Sequence, residues 1–147
     1  MKKIILLFSL IFITVNIYSS DIPESAVPAG VKSYITKHYP AAKNIEWEYK
    51  NKKDYYEAEF YLDGREIKLE IDSSGKLLYS KEDMFIKDIP AFATSYIKKN
   101  YPNTEILGAN KRVKDGQTSY SVGVAILNKK GRYETPKHCV RQHRKCT

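Results

Sequence analysis

The chain has 147 residues, 42% hydrophobic and 12% aromatic, with 12 tyrosines and a formal net charge of +8; this is the length of one small domain. The excess charge sits at the two ends: Lys2 and Lys3 at the front, and Lys129, Lys130, Arg132, Lys137, Arg141, Arg144 and Lys145 against Glu134 alone at the back, with the stretch between them balanced. A nucleic-acid reader needs a basic face on its folded domain to exchange for phosphate counterions, so nucleic acid is excluded as the expected partner.

Met1-Lys2-Lys3, the apolar run Ile4 to Ile17, and Tyr18-Ser19-Ser20 ahead of Asp21 read as a secretory signal over residues 1–20. The apolar run, residues 4 to 17, falls short of the roughly 18–20 residues that a membrane-spanning helix needs. Export to a periplasmic or secreted location is expected, without stable membrane insertion once the signal is removed. An uncleaved anchor is the other reading, because Tyr18 fits poorly where a cleavage site wants a small residue.

The body is one pattern written twice. Residues 27–40, from Val27 to Pro40, align with residues 89–102 at a constant offset of 62, and eight of the fourteen positions are identical, including Pro28/Pro90, Ser33/Ser95, Tyr34/Tyr96, Ile35/Ile97 and Tyr39/Tyr101. Each copy predicts a short helix that starts at a proline and is stopped by a second one. Val31, Tyr34, Ile35, His38 and Tyr39 form one stripe, and Ala93, Tyr96, Ile97, Asn100 and Tyr101 repeat it. Helices of about three turns do not persist alone, so each must pack on something.

That something follows in sequence. Residues 44–49, 55–62, 65–72 and 76–80 alternate as strands do, with Asp63-Gly64 as a two-residue hairpin turn. This turn sets the register: Phe60 opposite Ile67, Ala58 opposite Leu69 and Tyr56 opposite Ile71, all on the face that receives the helix. The other face then pairs Tyr61 with Glu66, Glu59 with Lys68, Glu57 with Glu70 and Tyr55 with Asp72. The second copy predicts strands over 105–113 and 117–127, after which the alternation stops past Gly131. The expected architecture is α+β: two tandem units, 21–86 and 87–131, each a short helix on an antiparallel sheet. The second either lacks a third strand or has residues 132–147 in its place, and the edge of its sheet at 117–127 is expected to be incompletely covered.

The repeated Pro-Ala…Ser-Tyr-Ile-x-Lys-x-Tyr-Pro helix, followed by Ile45-Glu-Trp-Glu-Tyr49 and by the Asp-Gly hairpin running into Asp72-Ser-Ser-Gly-Lys76, resembles the PepSY-like family of exported bacterial proteins, also described as beta-lactamase-inhibitor-protein-like. The resemblance covers roughly residues 27 to 128. It implies tandem helix-plus-sheet units in a periplasmic or secreted protein, and it carries no catalytic motif; inhibition would be an analogy of fold only.

Between residues 21 and 128 the chain has one histidine, His38, and no cysteine, and no nucleophile elbow, zinc-protease motif or phosphate loop occurs. His38 reads as a partly buried packing residue. The remaining candidate for chemistry is the polar sheet face: Tyr55, Glu57, Glu59, Tyr61, Glu66, Lys68 and Glu70, with Trp47, Tyr49, Glu46 and Glu48 near it. Directly opposed glutamates repel unless a cation, a proton or water intervenes. The face reads as solvated surface or as a binding surface, since stiff aromatic rings among charges favour recognition. Replacing Glu57 and Glu70 by Gln is expected to leave the fold intact or steadier. The alternatives are a small carboxylate-dependent hydrolase using Glu57 and Glu70, or a cation-binding protein acting through the tail.

That tail, residues 132–147, holds Cys139, Cys146, His138 and His143. It reads as an unstructured basic segment, a Cys139–Cys146 disulfide or a thiolate–imidazole metal site; the spacing matches no established zinc pattern. The reading that covers most of these observations is an exported, non-catalytic protein that presents an open sheet face to a protein or peptide, with no cofactor and no dedicated metal.

Overall fold

The computed structural model describes residues 21–102, 104–127, 133–134 and 137–140. The expected signal at 1–20, as well as Cys146 and His143, lies outside the described residues. The elements run α1 (Ala29–His38), β1 (Glu46–Lys50), β2 (Tyr55–Leu62), β3 (Arg65–Ile71), β4 (Leu77–Met84), α2 (Ala91–Asn100), β5 (Glu105–Lys114), β6 (Gln117–Leu127), β7 (Tyr133–Glu134) and β8 (Lys137–Val140). The α+β class and the tandem helix-on-sheet plan are as the sequence predicts. The strands, however, do not form two sheets. They join in one antiparallel sheet, β1-β2-β3-β4-β5-β6-β7, with β8 also on β6.

The seam between the copies is β4, which runs on to Met84, beyond the expected stop at Ser80, and pairs with β5 from Tyr79↔Lys114 to Met84↔Ala109. Its continuation is hard to read because both of its faces are polar: Ser80 and Glu82 fall on the helix side, Lys81 and Asp83 on the other. The apolar packing accordingly divides into two clusters. Val31 and Ile35 of α1 meet Trp47, Ala58, Phe60, Ile67, Leu69 and Ile71, and Ala93 and Ile97 of α2 meet Ala109, Val122 and Val124.

Both helices are punctuated as expected. Pro28 and Pro90 stand at the N-caps, and the Tyr39 and Tyr101 amides donate to the Ile35 and Ile97 carbonyls at 2.7 and 2.8 Å, closing each last turn just before the second proline. The copies differ where α1 begins. A Cβ on Gly30 would lie 2.7 Å from the Ser74 carbonyl oxygen, so α1 touches the β3–β4 turn backbone to backbone. The equivalent residue of α2 is Phe92, whose ring stands edge-on to Tyr120 at 5.6 Å. His38 is exposed rather than partly buried, and its ring stacks on Tyr34 at 4.3 Å.

The expected gap after β6 is filled. The pairs Ile126↔Glu134 and Leu127↔Tyr133 and Tyr120↔Val140 through Gly123↔Lys137 share one register, so Tyr133–Glu134 and Lys137–Val140 lie on one antiparallel path along β6. The second unit therefore has its third strand. These parts of the tail are strands, not an unstructured segment, and β6 is covered over both stretches. The composition misled because this strand carries lysine, histidine and cysteine in place of alternating apolar residues; its backbone pairing needs no particular side chains.

Candidate functional site: the open face of the sheet

With α1 and α2 packed on one face, the alternation of each strand sends every second side chain to the opposite, helix-free face. The predicted hairpin register holds residue for residue from Tyr56↔Ile71 to Leu62↔Arg65, so Glu57, Glu59, Tyr61, Glu66, Lys68 and Glu70 share that face. β1 adds Glu46, Glu48 and Lys50 through Glu46↔Glu59 and Glu48↔Glu57. Trp47 points the other way and is buried in the first apolar cluster.

The face is not simply solvated, and the opposed glutamates are not left facing each other. Glu57 is only 8% exposed; its carboxylate lies 2.7 Å from Lys68 Nζ and 3.8 Å from Lys50 Nζ. Lys68 also reaches Glu59 at 3.2 Å. Partial burial works against the Lys68 charge, but the hydrogen bonds and charges of Glu57 and Glu59 outweigh it and hold the ammonium above its ordinary range. Across the pair, Tyr55 is buried at 7% exposure and its hydroxyl donates to Glu70 Oε1 at 3.2 Å. Burial, then the Glu70 charge and this hydrogen bond, push the Tyr55 phenol up to about 12. The cation that relieves the repulsion is thus built into the sheet.

Tyr55 does not pair with Asp72 as predicted, because the β2–β3 ladder ends at Ile71. Asp72 instead accepts from the Ser74 amide at 2.9 Å, the Ser74 hydroxyl at 2.6 Å and the Lys76 amide at 3.0 Å, which hold the turn into β4 and keep its carboxyl below the usual range. Glu66 meets Lys81 at 2.6 Å, tying β3 to β4. Tyr61 is different: its side chain stands 69% exposed at the end of the face.

The same face continues over the second copy, which the sequence reading did not include. Lys81 and Asp83 of β4 and Asn110, Arg112 and Lys114 of β5 extend it, and Arg112 Nε donates to Asn110 Oδ1 at 2.9 Å. Gly108 and Gly123 face each other in β5 and β6 and floor a hollow of about 330 Å³. The missed signal is the β4–β5 junction; once β4 is carried to Met84 the rest follows by alternation. The face is therefore acidic and tyrosine-bearing over β1–β3, and basic and small-residued over β4–β6.

A carboxylate pair for acid–base work needs at least one group free to exchange a proton with a substrate. Here the Glu57 carboxylate is engaged by two ammonium groups, and Glu70 by a phenol. Among the described residues, no group of three His, Cys, Asp or Glu side chains is placed to hold a metal ion. The tail reading needs Cys146, which lies outside the described residues. No described helix is long and apolar enough to cross a membrane.

This duplicated helix-on-sheet plan, with one face left open, is that of a known group. The family model described as "Putative beta-lactamase-inhibitor-like, PepSY-like" matches residues 13–79 and again 54–126, and the chain belongs to that family. Among solved structures it is similar to a DUF2874 family protein from Bacteroides uniformis, with 19% identity, a TM-score of 0.61 and coverage of 78% of this chain and 81% of that one. A protein from Bacteroides eggerthii described as "putative periplasmic" shows 17% identity and a TM-score of 0.62 over 78% and 81%. A BLIP-like protein from Bacteroides fragilis shows 23% identity and a TM-score of 0.54 over 79% and 87%. At these identities the likeness is one of fold. No curated protein matches.

Proposed function

We propose that this is an exported, non-catalytic binding protein whose open sheet face receives a protein or peptide partner, centred on Tyr55, Glu57, Glu59, Tyr61, Glu66, Lys68 and Glu70. The observation that carries the reading is the way the two copies have diverged. At the same offset of 62 that relates the helices, the helix-side residues of β2, Tyr56, Ala58, Phe60 and Leu62, correspond to Thr118, Tyr120, Val122 and Val124 of β6, which still mostly pack on a helix. The open-face residues Tyr55, Glu57, Glu59 and Tyr61 correspond to Gln117, Ser119, Ser121 and Gly123. The packing side has mostly kept its character while the helix-free side has not, so the aromatic and acidic set on β2 is not a requirement of the fold.

The engaged carboxylates support the non-catalytic reading, and the pre-paired Glu57–Lys68–Glu59 group supports recognition: its charges are already oriented, so a partner need not order them. The family description and the fold support a protein as partner, in the manner of an inhibitor. The apolar stretch after Lys2-Lys3 and the neighbour described as periplasmic support export. The test is capture of partners from the envelope fraction by the wild-type chain, by Tyr61→Ala and by Lys37→Ala on the exposed helix side. Loss in Tyr61→Ala alone is expected; equal retention by all three overturns the open face as the site. Turnover of sugar or peptide substrates that disappears in Glu57→Gln would establish the hydrolase instead.

A further inference from the structure

β1 is the outermost strand at its end of the sheet, and an outer strand leaves half of its backbone groups unpaired by its neighbour. The outward half can be assigned. The Trp47 carbonyl accepts a hydrogen bond from the Ile22 amide at 2.9 Å, so the Trp47 backbone points away from β2, and by alternation so does that of Tyr49. Asp21 bridges Glu48 in antiparallel sense, and Ile22 packs against the first apolar cluster. After Ile22 the chain leaves the edge in a short 3-10 turn over Glu24–Ala26. Among the described residues, Asp21 and Ile22 strap this edge at Glu48 and Trp47, and a cleft of about 990 Å³ is lined by Asp21, Ile22, Glu48, Tyr49 and Lys50, among others.

The sequence of the strand is complementary to itself. Read against a second copy in antiparallel sense, Glu46-Trp-Glu-Tyr-Lys50 pairs all five residues when the two-fold axis passes through Glu48. Glu46 then faces the second copy's Lys50 at both ends through side chains alone, while Trp47 faces its Tyr49 and these two pairs use the outward backbone groups. The one like-charge contact, Glu48 with its own copy, is eased because each Glu48 already lies 2.5 Å from Lys50 Nζ of its own chain.

We propose that the β1 edge is a pairing site for β1 of a second copy of this chain, and that Asp21–Ile22 is the guard that keeps it closed. Displacing the guard frees the Trp47 carbonyl and the place that Ile22 takes against the first apolar cluster; Tyr49 of the second copy takes both places. Glu46, Glu48 and Lys50 also belong to the open face, but the readout here is self-association rather than partner capture, so failure of this proposal and failure of the proposed binding function are told apart.

The test compares the exported chain with its Ile22→Pro variant, which lacks the amide that reaches Trp47. At equal concentration the wild type is expected to show the mass of one chain by light scattering, and the variant twice that mass. Carbodiimide treatment of a mixture of isotope-labelled and unlabelled variant should join Glu46 of one copy to Lys50 of the other, a link that the extended strand forbids within one chain. Adding Lys50→Glu should return the single-chain mass. A chain starting at Pro23 gives the same readouts if Ile22→Pro fails to fold. A folded variant that stays single, association without the Glu46–Lys50 link, or a wild type that pairs as readily as the variant would each overturn the proposal.

Discussion

Lys68→Met removes the ammonium that lies between Glu57 and Glu59 and keeps the length of the side chain. Removing one partner of a fully buried ion pair costs about 3–5 kcal/mol, whereas exposed pairs contribute about 0–1 kcal/mol. The pair here is intermediate: the Glu57 side chain is 10% exposed and that of Lys68 31%. Lys50 at 3.8 Å also remains to share the Glu57 charge. Discounting for solvent screening gives a loss of about 2 kcal/mol. Glu57→Gln, which leaves Lys68 its 3.2 Å contact with Glu59, should cost less, about 1 kcal/mol. The joint replacement of Glu57 and Glu70 is thus expected to keep the fold at a small cost carried by Glu57, since Glu70→Gln can still accept from Tyr55 and should be near neutral. In urea unfolding at neutral pH the double variant Glu57→Gln/Lys68→Met should lose less than the sum of the two, with a coupling of about 1 kcal/mol. A loss below about 0.5 kcal/mol for Lys68→Met, or strict additivity in the cycle, refutes the claim that the sheet supplies its own counter-cation.

Gly30→Ala should destabilise the chain by about 2 kcal/mol, since the new Cβ would press on backbone 2.7 Å away, even though alanine is favoured over glycine in a helix by about 1 kcal/mol; a rise in thermal midpoint would show that the turn yields. The alkaline limit follows from groups whose folded pKa is raised: Tyr55, by burial and Glu70, to about 12; Tyr39, by burial and its 2.8 Å bond to Glu82; and Lys68 and Lys81, through their carboxylates. A raised folded pKa contributes stability that is fully present below the unfolded value, about 10 for both residue types, and is lost as pH climbs through the folded one. Stability should therefore be level up to about pH 9 and fall between about 10 and 12, with tyrosinate absorbance rising together with unfolding. Ionisation of all tyrosines near pH 10 in a folded chain would contradict the contacts of Tyr39 and Tyr55.

What the sequence revealed, and what it hid, divide along one physical line. The hairpin register of β2 and β3 was legible because Asp63-Gly64 fixes the turn and a slip of one residue would send Phe60, Ile67, Leu69 and Ile71 into water. The site residues on the opposite face came with it at no further assumption, since they are the other half of the same alternation. Their contacts did not: two glutamates facing each other looked like repulsion because Lys68 is diagonal to Glu57, and a list of directly opposed pairs omits diagonals. That Lys50 would also reach Glu57 depended on the β1–β2 register, which the four-residue turn from Asn51 to Asp54 leaves open in the sequence.

The strands that escaped prediction, the second half of β4 and the path of β7 and β8, have in common that their places are set by backbone pairing with β5 and β6 rather than by an apolar face of their own. Hydropathy reports only which side chains leave water; it is silent on a strand whose partner supplies the order. The duplication makes the point within one molecule. β3 reads as a strand because Ile67, Leu69 and Ile71 must cover α1, while its counterpart along β6 carries Lys137, His138 and Cys139 and reads as a tail. Where the helix demands cover, the pattern survives in sequence; where a strand only closes an edge, residues can change freely, and the pairing persists without leaving a trace in the alternation.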